Sequence, residues 1–257
     1  MLLTKRRRFV VASLLLSLGF IAIQFLNDQN RIWAIGVLGI LTIIFFAWSL
    51  WETLGKNLTL LTLVLPTIFT LGVGIFWFLL PANIYARIPV VIFYAIGIYI
   101  LLLTMNIFTV SAIRTIALLR AAKGVGFVLT LITAFLALDA ILSLKADPYV
   151  QTLLVFVVSM PLYLQSYWSV LLEKSISKDL MVLSLVSSLV TSEIAAALYF
   201  WPVTVVVGSL FLTVSFYVLL GLCQAKLDER LFPSVVREHL TVGALVLIAM
   251  FFATHWG

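Results

Sequence analysis

The stretch "LMVLSLVSSLVTSEIAAALYFWPVTVVVGSLFLTVSFYVLLGLC", Leu180 to Cys223, decides the fold. It carries a single charged residue, Glu193, and a single proline, Pro202. Pro202 divides it into two apolar runs, each of the ~17–25 residues that span a hydrocarbon core ~30 Å thick. Lipid offers no hydrogen-bond partner to backbone groups, so each run must be a helix. The link at Pro202 is too short for anything but a tight turn, which makes the two helices antiparallel neighbours.

The rest of the chain repeats this pattern. Its 257 residues are 64% hydrophobic and 10% charged, with a mean hydropathy of +1.23. A soluble domain carries about 25% charged residues, so this chain cannot build a water-exposed surface. Nine spans are expected, at about 9–26, 32–51, 58–80, 88–110, 124–145, 150–172, 180–201, 203–223 and 240–256. Polar breaks such as "NDQNR" (27–31), "ETLGKN" (52–57) and "EKSISKD" (173–179) separate them.

Charge orients the bundle. With "MLLTKRRRF" in the cytoplasm, nine alternating crossings put thirteen basic residues inside and leave only Arg31, Arg87 and Lys145 outside. A miscounted span would invert every later loop and destroy that bias. The expected architecture is therefore an all-α polytopic transmembrane bundle, N-terminus cytoplasmic and C-terminus extracytoplasmic. It forms a single transmembrane domain over 1–257 with no separate soluble domain. All seven tryptophans, Trp33 to Trp256, fall near span ends, where an amphipathic ring prefers the headgroup zone. The first span has a basic start but a long apolar region and no small-x-small cleavage site, and reads as a retained signal anchor.

The net charge of +6 thus reports orientation and contact with the lipid bilayer rather than nucleic acid. Cys223, the single cysteine, excludes an intrachain disulfide and a cysteine-rich metal site. The longest connections are 111–123, either an interfacial amphipathic helix or extensions of its neighbours, and 224–239, a solvated connector with local ion pairs. "NLT" at 57–59 falls on the cytoplasmic side and carries no meaning as a glycosylation signal. "GVGF" at 124–127 marks a loop-to-helix junction. Pro66 and Pro161 fall inside spans, as packing kinks or as the broken helices of some transporters.

Only two of the ten acidic residues, Asp139 and Glu193, lie within spans. A charge at such depth costs roughly 2.5–3.5 kcal/mol by insertion scales, so both are expected to face the protein interior. They sit at similar depth in the outer half of the bilayer and would form one site if spans five and seven touch. No lysine or arginine lies at that depth. Arg31 and Arg87 are the nearest cations and could reach inward along their stems. Before Glu193, Ser184, Ser188, Ser192 and Ala195 recur every three or four residues, with Ser187 and Thr191 as a second row. Such small-residue rows let another helix approach closely. Three readings of Glu193 are open: an acid hydrogen-bonded in a packed interior, a proton, cation or substrate contact, or an exposed position.

No catalytic constellation is evident. His239 and His255 lie at opposite faces and outside any His-Glu-x-x-His pattern. No serine has a paired histidine and acid, and neither a paired-aspartate motif nor a phosphate loop occurs. No catalytic residue, metal site or cofactor is expected, and the chain reads as a non-enzyme. "SEIAAALYFWP", "FYVLLGL" and "LDERL" in the last third resemble an uncharacterised family of small polytopic bacterial membrane proteins. That resemblance implies a bacterial cell membrane and no mechanism. Two functions are expected. One is a non-catalytic membrane component (scaffold, assembly factor or partner subunit) that contacts a membrane-protein partner or forms a homo-oligomer. The alternative is a secondary transporter or proton/cation-coupled carrier using Glu193 and Asp139.

Overall fold

The computed structural model describes residues 4–55, 59–79, 84–113 and 117–254. Lys56, Arg114, His255 and Trp256, and most of the "NLT" triplet, lie outside them. Among the described residues the protein is all helix: α1 (Lys5–Ile23), α2 (Asp28–Leu50), α3 (Val64–Leu79), α4 (Ile84–Ser111), α5 (Leu119–Ser143), α6 (Pro148–Leu171), α7 (Lys178–Tyr199), α8 (Val205–Leu227) and α9 (Pro233–Ala253). A 3-10 turn, Thr59–Leu63, leads into α3. Eight of these are long and apolar enough to cross a membrane. The ninth, α1, has 19 residues and spends its first turn on Lys5, Arg6, Arg7 and Arg8, which leaves a shorter apolar stretch behind them.

Several helices outrun their apolar stretches. α5 starts at Leu119, because "LRAAK" is a good helix former. Residues 119–123 are thus an extension of a span, and "GVGF" lies inside a helix rather than at its entrance. Gly126 instead allows close approach: a Cβ there would meet the Phe108 ring at 3.0 Å. α8 and α9 together shorten the 224–239 connection to residues 228–232. Pro233 opens α9 at a position where no backbone N–H is needed. Pro66 falls in the first turn of α3, whereas Pro89 and Pro161 are inside α4 and α6.

The chain divides into two compact units, Met1–Leu129 and Thr130–Gly257, with the boundary inside α5. In the first, α1 packs on α2 and α4, and α3 on α2 and α4. Buried hydroxyls stitch them: Thr42 meets Thr70 at 3.0 Å, Thr70 meets the Tyr94 hydroxyl at 3.2 Å, and Ser13 donates to the Ala95 carbonyl at 2.9 Å. Phe20 stacks on Tyr94 at 4.7 Å and meets Trp77 edge-on at 5.4 Å. Without a hydrophobic drive between helices in lipid, packing of this kind and interhelical hydrogen bonds hold the unit together. Arg8 of α1, almost wholly buried, pairs with Glu52 just past α2. This ties the start of one helix to the end of the next.

The second unit is built on the α6–α7 pair. Both small-residue rows of α7 are buried, and Tyr163 and Tyr167 of α6 lie over them, hydrogen-bonded to Thr191 at 2.9 Å and Ser187 at 2.8 Å. Phe216 of α8 stacks on Tyr163 at 4.0 Å. α9 is the most exposed helix and packs on α8. Its His239 stacks on Tyr217 at 4.9 Å and bonds the Val235 carbonyl, and Trp201 donates to Thr254 at 2.9 Å.

Candidate functional site

Asp139 sits four residues before the end of α5, inside the second unit, 4% exposed. Ser209, early in α8, donates to its Oδ1 at 2.9 Å. The Ser209 hydroxyl also lies 3.0 Å from the Val206 carbonyl, so one proton serves two acceptors. Thr204 caps α8 by accepting from the Val207 N–H, which fixes the first turn that aims Ser209 at the acid. Ser209 carries no signal in the sequence; hydroxyls recur throughout this chain, and nothing sets this one apart.

Glu193 is placed differently from the expectation. It is exposed on α7. The reason is the geometry of the small-residue rows: they turn inward against α6, and each further residue rotates about 100° around the helix. Glu193 follows Ser192 and so leaves the packed face, joining Val186, Leu189 and Ala197 on an apolar outer face. The interior reading of Glu193 is therefore overturned. The two acids do not share a site. Asp139 is directed to α8, and Glu193 looks outward.

Arg31 and Arg87 belong to the first unit, and each has company there. Arg31 donates to the carbonyls of Gln24 at 3.3 Å and Leu26 at 2.8 Å and lies over the Phe78 ring. The Arg87 guanidinium lies 5.4 Å from the Trp77 ring centre. Within that unit, each cation is thus held beside an aromatic ring. Trp77 and Trp168 are buried as well as near helix ends, Trp168 donating to the Glu173 carbonyl at 3.1 Å. Both rings are packed against protein.

Among the described residues, no group of three or more histidine, cysteine or acidic side chains could hold a metal ion. The second unit also has a groove of about 620 Å³ between α6 and α7, lined by Tyr149, Leu153, Phe156, Leu189 and Phe200 among others. Its walls are nearly all apolar, a surface suited to an acyl chain.

Comparison with curated proteins and with solved structures gives no match. A family described as "Protein of unknown function" matches residues 33–253. The match thus covers most of the chain, and not only the last third that carried the resemblance. The chain belongs to this uncharacterised family, DUF5656.

Proposed function

We propose that the chain is a non-catalytic component of a bacterial cell membrane, a scaffold, assembly factor or partner subunit that holds another membrane protein through α7. The observation that carries this reading is Glu193, exposed amid an apolar helix face. A charge facing hydrocarbon costs roughly 2.5–3.5 kcal/mol or more. A partner helix that presents a basic or hydrogen-bond-donating side chain at that depth removes the cost. A second copy of the chain brings no lysine or arginine at that depth, so charge complementarity favours a different protein.

The test places a photo-reactive residue at Leu189 or Ala197, beside Glu193, in cells. A single crosslinked partner is expected, and Glu193→Leu should abolish its capture while Asp139→Asn leaves it intact. Equal capture by the Glu193→Leu protein, or repeated failure to crosslink any protein, would refute the reading. The carrier reading draws its support from Asp139, a carboxylate hydrogen-bonded inside the second unit. It requires pH-dependent flux in liposomes that Asp139→Asn removes from a folded protein.

A further inference from the structure

Beyond α7, the first unit holds a second polar feature inside apolar surroundings. A groove of about 410 Å³ opens beside α1, α3 and α4 and is lined by Gln24, Trp77 and Arg87 together with Ile88, Val91 and Ile92. Three donors on its walls, Gln24 Nε2, Trp77 Nε1 and Arg87 Nε, are buried and lack any hydrogen-bond partner. Trp77 is only 3% exposed, so its indole N–H has no water to fall back on. A buried donor left unmatched costs about 1–3 kcal/mol, and native proteins leave few of them.

The chemistry of the set is uniform. One guanidinium, one indole N–H and one amide NH₂ all donate, and none of the three unmatched atoms is an acceptor. Arg31, bonded to the Gln24 carbonyl, adds positive charge alongside. What such a set lacks is an anion with several acceptor oxygens. Away from these donors the groove is lined by Ile88, Val91 and Ile92, a wall for a hydrocarbon chain and not for a free ion. Gln24, Trp77 and Arg87 fall at helix ends, on the outer side in the orientation read from charge bias.

We propose that this groove binds a phosphate-bearing amphiphile, an anionic phospholipid in the outer leaflet. Its phosphate accepts from Arg87, Trp77 and Gln24, and one acyl chain lies along Ile88, Val91 and Ile92. Gln24 and Arg87 are only half-buried, so their side chains rotate to meet the headgroup. Donors already cut off from water surrender no hydration on binding, so each gains a full hydrogen bond.

The experiment measures binding to the full-length detergent-purified protein by native mass spectrometry. Phosphatidylglycerol, diacylglycerol and inorganic phosphate are the separate probes. Phosphatidylglycerol should bind and resist competition by diacylglycerol. Arg87→Gln should weaken it about 10- to 100-fold, the scale of one hydrogen bond to a charged group. Trp77→Phe, which keeps a ring under Arg87 but removes the N–H, should weaken it by a smaller factor and serves if Arg87→Gln fails to fold. Lipid-free melting temperatures identify variants that are merely misfolded. Unchanged phosphatidylglycerol affinity in a folded Trp77→Phe protein overturns the site. Equal binding of diacylglycerol overturns the role of the phosphate. Inorganic phosphate binding as tightly as the lipid assigns the donors to a free anion and overturns the amphiphile.

Discussion

Replacing Glu52 by glutamine removes the carboxylate that faces Arg8 and leaves a guanidinium whose side chain is 4% exposed without its counter-charge. Two further Arg8 nitrogens, Nε and Nη1, already lack partners, so the pair carries much of what keeps that charge tolerable. Breaking a fully buried pair costs about 3–5 kcal/mol, and an exposed pair is worth only ~0.2–1 kcal/mol. Glu52 is half exposed, which places the expected loss at about 1–2 kcal/mol, a drop of roughly 2–8 °C in Tm for a chain this size. The pH dependence has a definite sign. The hydrogen bond from Arg8 holds the Glu52 carboxyl below its ordinary value of 4.5. Its stabilisation is therefore complete above that ordinary value and disappears as pH falls through the lowered one. Thermal melts in nanodiscs should show wild type and Glu52→Gln separated at neutral pH and converging in acid. The double variant Arg8→Met, Glu52→Leu should lose less than Glu52→Gln alone, because no charge is stranded. A gap that stays constant into acid would refute the argument, since the carboxylate's charge would then contribute nothing.

Other substitutions test the packing. Ser209→Ala strips Asp139 of its donor and should destabilise by about 1–3 kcal/mol in a thermal melt. Asp139→Asn should be nearly neutral, because an amide can donate to Ser209 while that hydroxyl serves Val206. Ser188→Leu forces a large side chain into the buried α7 row and should cost at least ~1–3 kcal/mol, whereas Val186→Leu, on the outer face, should leave Tm unchanged. Gly97→Ala would put a Cβ 2.5 Å from the Phe69 ring, itself packed on Phe93 and Tyr94, and should cost about 1–3 kcal/mol by the same assay.

The helices were legible because lipid leaves the backbone one solution, and length with apolarity identifies it. The spans read from composition fall within a few residues of the helices, except that α3 begins only at Val64, after a 3-10 turn, and α9 begins early at Pro233. Boundaries moved where residues that form good helices, such as Leu119–Lys123, continue a span beyond its apolar part. The packing face of α7 was legible too, since serine and threonine at helical spacing have few uses in lipid besides close approach. The direction of Glu193 follows from that same spacing, because the rows are the buried face. The cost of a charge in lipid points Glu193 inward, but the register of the helix that carries it turns it outward.

That reversal bears on how charged groups in the two units divide their work. Asp139, buried, meets one hydroxyl; Arg8, buried, meets a half-exposed acid. Both have a partner within the chain, and both are expected to act on stability. Glu193 and the trio Gln24, Trp77 and Arg87 are the opposite case. The first is exposed amid apolar side chains, and the three donors are shielded with nothing to bond. Each arrangement leaves a polar need unmet, and the needs are complementary in sign to different companions: a donor for Glu193, an anion for the trio. Removing an unmet need raises the stability of the isolated chain while removing what it recognises. Glu193→Leu should therefore raise Tm in detergent and abolish crosslinking to the partner. A variant that melts lower while still binding the partner would show that Glu193 is a structural residue after all.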